Sequence, residues 1–362
     1  MFKKEYPIYF KSTIILFGII LTVYVLSTLQ DVLIPVAFSF IIAILLNPLV
    51  NKLKRYKLSN ALAIGIVLLV SIIAFGGLIY FLSSQITGFA DNFPVLKSKL
   101  VSILQNLQQW LLHKYGIAIN KQVQLLDEAL KSSKALIGST LGTALGTVSI
   151  IFLLPVYTFM ILYYKSLILN FLYEIFANKN AGQVQDILSE TKSAIQSYMV
   201  GLLLEALIVA ILNSTALFIF DVKYAILIGV LGALLNMIPY LGGIIAIALP
   251  LLIATVTKDG YSTQLGILIS YLVIQFIDNN FIVPKVVSSK VQINALFSII
   301  IVLLGGNLWG VPGMFLSIPF VAILKIIFDR IDGLKPWGKL LGDDVPTRHL
   351  GQLLRKKINK KL

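Results

Sequence analysis

The chain has 362 residues, of which 58% are hydrophobic and 13% charged, whereas a soluble domain carries about 25% charged residues because its surface faces water. Cysteine is absent, which excludes a disulfide framework, an iron–sulfur cluster and a thiolate zinc site. The net charge of +14 also suits nucleic acid, but lysine and arginine cluster at the ends of apolar runs, so we predict a membrane protein without a nucleic acid partner.

Eight long apolar runs, free of charged residues, dominate the sequence. They cover residues 12–30, 32–51, 58–90, 135–164, 206–220, 224–257, 260–277 and 291–324. A helix needs about 20 apolar residues to cross a hydrocarbon core of about 30 Å, and backbone groups in lipid must form hydrogen bonds within the protein. The runs therefore predict an all-α, polytopic helical bundle embedded in a lipid bilayer.

Positive charge in the short loops predicts the orientation of the chain, because short cytoplasmic loops are enriched in lysine and arginine. The basic residues of the N-terminus and of the loop after the second run are Lys3, Lys4, Lys11, Lys52, Lys54, Arg55 and Lys57. With the basic C-terminal tail, they predict that both termini are cytoplasmic in a multi-pass protein of the cytoplasmic membrane. The first run is then an uncleaved signal anchor, since a second span follows at once.

Two patterns indicate contacts between helices or subunits. Small residues four apart, at Gly138, Gly142 and Gly146, form a face on which helices approach closely in lipid. An apolar stripe with coiled-coil spacing contains Leu96, Leu100, Ile103, Leu107 and Trp110. The stripe fits a helical hairpin that packs on itself or a contact between protomers, and the glycines fit a neighbouring helix or another subunit. A homo-oligomer of open subunit number is the resulting prediction.

The runs 224–257 and 291–324 are too long for simple spans, because each would reach about 51 Å as a straight helix. Helix breakers interrupt both in the middle: residues 236–243 read NMIPYLGG and residues 305–313 read GGNLWGVPG. Non-helical backbone at membrane depth occurs only where protein or water supplies the hydrogen bonds of its N–H and C=O groups. Paired breaks at corresponding positions therefore indicate the midplane binding site of a secondary transporter.

Both re-entrant hairpins and full spans fit these two runs. In re-entrant hairpins Lys258 lies outside while Lys285 and Lys290 lie inside, whereas full spans exchange these positions. The positive-inside rule favours hairpins that enter from opposite sides of the membrane.

Polar residues within the apolar runs are the candidate binding groups. Glu205 is the only charged residue in 199–220, and a carboxylate at the centre of a membrane helix costs about 2.5–3.5 kcal/mol on insertion scales. It is therefore expected to face a polar interior and to carry a proton. Asp278 lies among amides before a proline, which suits a polar solute or Na⁺. The candidate solute- or ion-binding residues are Glu205, Asn213, Asn236, Pro239, Tyr240, Gly242, Gln275, Asp278, Asn279, Asn280 and Asn307.

Three of these segments resemble the C-terminal core of the AI-2E (autoinducer-2 exporter-like) family. The matching residues are Pro239-Tyr240-Leu241-Gly242-Gly243, then Gln275, Asp278, Asn280 and Pro284, then Gly305, Gly306, Gly310, Gly313, Pro319, Ala322 and Lys325. The order of spans is also similar along nearly the whole chain. The resemblance implies a permease that exports autoinducer-2 or, as in other members, acts as a sodium–proton antiporter.

We therefore expect a secondary transporter, not an enzyme, that moves a small polar solute such as autoinducer-2 by alternating access. No Walker A sequence is present, so a proton or Na⁺ gradient is the expected energy source and no other cofactor is expected. A Na⁺(Li⁺)/H⁺ antiporter and a non-transporting scaffold or receptor are the alternatives. The predicted parts are N-terminal transmembrane helices (1–90), an extracytoplasmic helical segment (91–134), a transmembrane helix (135–164), a cytoplasmic amphipathic segment (165–196), the transport core (197–330) and a basic cytoplasmic tail (331–362).

Overall fold

The computed structural model describes residues 7–115, 144–238, 242–258, 260–287 and 292–343. These residues form helices joined by short connections, and no strand occurs among them. Many large apolar side chains, such as Phe17, Ile73 and Leu272, are exposed on the outer surface. Such a surface suits lipid, since a soluble protein does not expose so large an apolar area. The predicted all-α membrane bundle is confirmed.

Ten α-helices and one π-helix make up the described part of the chain. Their bounds are α1 Ile8–Thr28, α2 Gln30–Arg55, α3 Asn60–Tyr115, α4 Ala144–Tyr163, α5 Lys165–Ile219, α6 Ala225–Asn236, α7 Gly242–Thr257, α8 Ser262–Ile277, the π-helix Asp278–Val287, α9 Ala295–Arg330 and α10 Lys335–Leu341. Five of the described helices are long and apolar enough to cross a membrane, or six if the bent pair α4 and early α5 counts as one span.

Helices α2 and α4 run parallel to each other. Ser39 donates a hydrogen bond to the carbonyl of Leu154 at 3.1 Å, and Lys165, directly after α4, donates to Asn47 Oδ1 at 3.1 Å. The residue numbers thus increase in the same direction along both helices between the two contacts. Leu162 of α4 belongs to a buried apolar cluster that also contains residues of α2 and α3. This N-terminal bundle of α2, α3 and α4 forms one wall of the molecule.

Helix α5 combines the predicted amphipathic segment with the start of the predicted core. As a straight helix its 55 residues would extend for about 80 Å. However, Leu172 and Leu188 line one cavity, as do Lys165 and Lys192, so the chain folds back between residues 172 and 188. The predicted division at residue 197 lies within the second, longer arm.

Helices α6 and α7 form hairpin 1, and its two ends lie at the same end of the bundle. Asp221, just before α6, forms an ion pair of 2.5 Å with Lys258, just after α7. Lys258 lowers the pKa of Asp221 by donating a hydrogen bond and by its charge, so Asp221 stays ionised at neutral pH. Gly242 at the start of α7 lies against the backbone of Leu235 in α6, where any Cβ would overlap it. The chain therefore enters, turns and leaves on one side.

The two arms of α9 form hairpin 2. Ser317 Oγ donates to the carbonyl of Ile301 at 3.1 Å, although 16 residues of straight helix would separate them by about 24 Å. The fold-back occurs at Trp309 and Gly310, which have non-helical dihedral angles, with φ of Gly310 at 63°. At the base of the hairpin the backbone N–H of Asn294 donates to the carbonyl of Leu341 at 3.0 Å. Both ends of hairpin 2 thus also lie at one end of the bundle.

The two hairpins enter from opposite ends of the bundle. Helix α8 begins next to the base of hairpin 1, and the π-helix that continues it ends next to the base of hairpin 2. Together they cover 26 residues, enough to span a membrane. The paired breaks thus coincide with two helical hairpins whose bases lie at opposite ends of the bundle, and their re-entrant insertion into the membrane stays a prediction.

A buried apolar cluster joins both hairpins to α5. It contains Leu202 of α5, Val302 and Leu316 of hairpin 2, and Met237 from the break of hairpin 1 packs against it. Trp309 at the tip of hairpin 2 donates its indole N–H to the carbonyl of Leu26 in α1 at 2.9 Å. The tips of both hairpins are thus held inside the bundle.

Some sequence predictions lie outside the described residues. Gly138 and Gly142 fall within 116–143, and Gly146 lies in the first turn of α4, so the glycine face stays a prediction. The segment 91–134 is described as far as Tyr115, where α3 ends. The homo-oligomer and the orientation of the termini also stay predictions.

Single cysteines test the hairpins cleanly, because the chain has no cysteine of its own. We expect Lys223→Cys and Tyr261→Cys, which flank hairpin 1, to react with an impermeant maleimide from one side of the membrane. Lys285→Cys and Lys339→Cys, which flank hairpin 2, should react only from the other side. A full span in place of either hairpin would move the two members of a pair to opposite sides.

Candidate functional site

Two carboxylates meet at the tip of hairpin 1. The side-chain nitrogen of Asn236, the last residue of α6, donates to Asp278 Oδ2 at 2.8 Å and lies 3.5 Å from Glu205 Oε1. Glu205 comes from α5 and Asp278 from the first position of the π-helix. One amide group therefore bridges two acidic side chains from different helices.

A second amide extends this group. Gln275 Nε2 lies 3.4 Å from Asp278 Oδ2 and 3.3 Å from Asn279 Oδ1. Its Oε1 lies against the backbone of Gly243 in α7, where a Cβ would come within 2.7 Å. The glycine-rich start of α7 thus lets the hairpin tip approach the polar side chains of α8.

Both carboxylates are buried. Glu205 is 6% exposed and Asp278 is 2% exposed, and no lysine or arginine in the described part of the chain forms an ion pair with either. Two buried negative charges without a cation are strongly unfavourable. The pair therefore requires a proton or a cation that no described lysine or arginine supplies.

Some hydrogen-bonding capacity in the site is unused. Asp278 Oδ1 and Asn213 Oδ1 are buried and have no hydrogen-bond partner among the residues that the structure describes. Asn213 lies two turns from Glu205 along α5, next to Gly232 of α6. Buried polar atoms are nearly always paired, so each unpaired one needs an explanation such as a bound ion, solute or water.

The π-helix changes the backbone at Asp278. π-Helices are rare, usually a single turn, and frequent at functional sites. Here the π-helix covers 10 residues and contains Pro284. Because proline has no N–H, the carbonyl five residues earlier, that of Asn279, has no π-helical partner. Asn280 donates to the carbonyl of Phe276 at 2.8 Å, which stabilises the start of the widened helix.

The carboxylate pair lies deep in the bundle. Glu205 precedes the end of α5 by 14 residues, or about 21 Å, and Asp278 follows the start of α8 by 16 residues, or about 24 Å. Both distances are measured from the end where hairpin 1 enters. Asp278 therefore lies more than half-way along the 26-residue span 262–287, and the pair is far from the water on the side where hairpin 1 enters.

The structure brings together Glu205, Asn236, Gln275, Asp278 and Asn279 among the sequence-predicted residues. Gly242 supports the same hairpin tip, and Asn213 lies farther along α5 with the unpaired oxygen described above. Asn280 and Asn307 are exposed, and each donates to a carbonyl of its own helix. Pro239 and Tyr240 lie outside the described residues.

One glycine that positions the site is not among the sequence-predicted residues. A Cβ at Gly201 would come within 2.9 Å of the Val287 Cα and would overlap the carbonyl of Val286. Gly201 therefore lets α5 cross the π-helix closely, one turn before Glu205. Its spacing of four from Glu205 was the available signal.

Two helical hairpins with bases at opposite ends of the bundle, and polar groups buried where a hairpin tip meets a π-helix, resemble the broken-helix binding sites found in secondary transporters. Residues 13–333 match the family described as "AI-2E family transporter". The chain belongs to this family, and the assignment made from the sequence is confirmed.

Curated relatives cover nearly the full chain. It is 25% identical over 316 residues to "AI-2 transport protein TqsA" of Escherichia coli (strain K12). The aligned region covers 86% of this chain and 90% of that protein. It is 26% identical over 318 residues to "Putative transport protein YueF" of Bacillus subtilis (strain 168), with 82% and 83% covered. The chain is thus a multi-pass membrane protein of a transporter family.

Proposed function

We propose that this protein is an ion-coupled secondary transporter that moves a small polar solute across the cytoplasmic membrane by alternating access. The observation that carries the proposal is the buried pair Glu205 and Asp278, which Asn236 bridges and which has no basic partner in the described part of the chain. Intramembrane carboxylates normally mark ion or proton pathways. In this proposal the pair holds the coupling ion.

A proton or Na⁺ suits the chemistry of the pair. Carboxylate and amide oxygens are ligands for hard cations, and the unpaired Oδ1 of Asp278 offers one free acceptor. A proton on either carboxylate would equally remove one of the two buried charges. In both cases, release of the ion leaves two repelling carboxylates, so ion binding favours the closed arrangement of hairpin 1 around Asn236.

The amides of the site favour a hydroxylated solute. Asn236, Gln275 and Asn279 offer both donors and acceptors, and the broken helix ends add backbone groups. A relative is named as a transport protein for AI-2, so autoinducer-2 is the first solute to test. With cytoplasmic termini, export is the proposed direction.

Proteoliposomes that contain a trapped pH-sensitive dye test this proposal. We expect a pulse of autoinducer-2 to change the internal pH in wild-type vesicles and to leave it unchanged with Glu205→Gln. The matched control is Glu190→Gln, an exposed glutamate on the same helix that pairs with Arg330.

The same vesicles distinguish the alternatives. A proton signal on Na⁺ or Li⁺ alone, lost in Glu205→Gln, would make the protein a cation–proton antiporter instead. No proton signal and no flux of labelled solute under any gradient would contradict transport and leave a scaffold or receptor.

A further inference from the structure

A cavity separate from the carboxylate site opens where the chain folds back within α5. It has a volume of about 170 Å³ and lies between α2, the end of α4 and both arms of α5. Its defining residues are Asn47, Lys165, Leu169, Leu188, Thr191 and Lys192; we refer to it as the Lys165 cavity. That volume equals about five or six water molecules.

The wall of the Lys165 cavity is almost entirely apolar. Leu169 and Leu188 face each other from the two arms of α5, and Phe40 and Ile168, which are partly exposed to the outside, complete the wall. Water is unfavourable in such a space, since a bound water needs two to four polar partners. A stretch of hydrocarbon chain entering from the lipid side fits this wall better.

The mouth of the cavity is positively charged. Lys165 and Lys192 both line it, and the charges of Lys192 and Lys54 act on Lys165. Asn47 accepts a hydrogen bond from Lys165 Nζ at 3.1 Å, which holds the ammonium group at the cavity. In the part of the chain that the structure describes, no ion pair neutralises any of these three lysines. Two lysines that line one cavity, with the charge of Lys54 acting on one of them, attract an anion.

One further polar atom at the cavity lacks a partner. The hydroxyl oxygen of Thr191 is buried and makes no hydrogen bond among the described residues, and Thr191 lines the cavity beside Lys192. A phosphate bound at the lysines would lie next to this threonine and to the apolar wall.

We propose that the Lys165 cavity binds an anionic phospholipid, with its phosphate at Lys165 and Lys192 and part of one acyl chain along Leu169 and Leu188. Basic pockets between transmembrane helices recognise anionic headgroups in this way. The apolar wall selects a lipid over a soluble anion. A lipid held between α2 and the fold-back of α5 would connect the N-terminal bundle to the helix that carries Glu205.

Native mass spectrometry of the purified full chain, after exchange into mixed phosphatidylglycerol and phosphatidylcholine, measures this binding. We expect wild type to retain phosphatidylglycerol preferentially. The double variant Lys165→Gln/Lys192→Gln should weaken retention about 10- to 30-fold, because each lysine near the surface contributes about one factor of five. Leu169→Trp, which fills the cavity without changing charge, should also weaken retention.

The control is Lys57→Gln/Lys223→Gln, which removes two exposed lysines and changes the net charge equally; it should retain the lipid as wild type does. Equal retention by wild type, the cavity variants and the control would overturn the proposal. Displacement of phosphatidylglycerol by millimolar inorganic phosphate would overturn it in favour of a soluble anion. Loss with the charge variant but not with Leu169→Trp would contradict the acyl-chain assignment.

Discussion

Asp278→Asn is expected to abolish ion-coupled transport while the protein stays folded. Asparagine has nearly the shape of aspartate and can still accept the hydrogen bond from Asn236, but it neither binds a proton at physiological pH nor attracts a cation. Groups that transfer protons in a positioned site contribute about 10²- to 10⁴-fold to a rate, so we expect the coupled flux to fall at least about 100-fold. Flux of labelled solute under a proton or Na⁺ gradient measures this.

Thermal stability separates loss of the ion site from loss of the fold. A buried carboxylate without a cation opposes folding, so the melting temperature of Asp278→Asn in detergent should equal or exceed that of wild type. The matched control is Asp332→Asn. Asp332 is exposed and pairs with Lys335 at 2.6 Å, which lowers its pKa and keeps it charged at neutral pH. Full coupled flux with both Asp278→Asn and Glu205→Gln would mean that other residues carry the ion.

The sequence predicted the hairpins because their signals are local. The breaks at 236–243 and 305–313 consist of residues that cannot continue a helix, and in lipid a break has few structural solutions. Glu205 was equally evident, since a lone carboxylate in an apolar helix is costly. These features depend on a few adjacent residues, which is why they could be found without an alignment.

Features that depend on packing between distant segments were not predictable. The contact of Asn236 with Asp278 joins residues 42 apart, and hydrophobic pattern does not fix such pairs. Asn280 was included with Asp278, although residues two apart on a helix point to nearly opposite sides, so helical geometry could have separated them. Asn307 lies at the tip of hairpin 2, where its amide donates to Leu303 at 3.0 Å and not to the carboxylate pair.

The fold-back within α5 shows the same limit. Residues 178–182 read NKNAG, a turn-like composition, but the surrounding charges fit a single surface helix equally well. Only the shared cavity of Lys165 and Lys192 shows that the arms lie side by side. The spacing of Gly201 from Glu205 is likewise a weak signal, because a glycine in an apolar helix can serve any neighbour and the spacing does not identify the π-helix as that neighbour.

Gly313→Val is expected to separate the arms of hairpin 2 and to remove both stability and transport. A Cβ at Gly313 would overlap the Gly305 carbonyl and come within 2.9 Å of Trp309 Cβ. The first obstacle is backbone, which cannot rotate away, so the arms must move apart and the hydrogen bond of Ser317 to Ile301 is lost. Overpacking costs about 1–3 kcal/mol, which corresponds to a melting temperature lower by roughly 3–10 °C.

Gly76→Val in α3 provides the matched control for this prediction. A Cβ at Gly76 meets no atom within 4 Å, so the same substitution tests helix propensity and side-chain size without a clash. Its melting temperature and coupled flux should remain close to those of wild type. If Gly313→Val melts and transports as Gly76→Val does, the arms of α9 do not pack together, and 291–324 crosses the membrane as one kinked helix. If only Gly313→Val fails, the close backbone contact between Gly305 and Gly313 is what allows the chain to turn back inside the membrane.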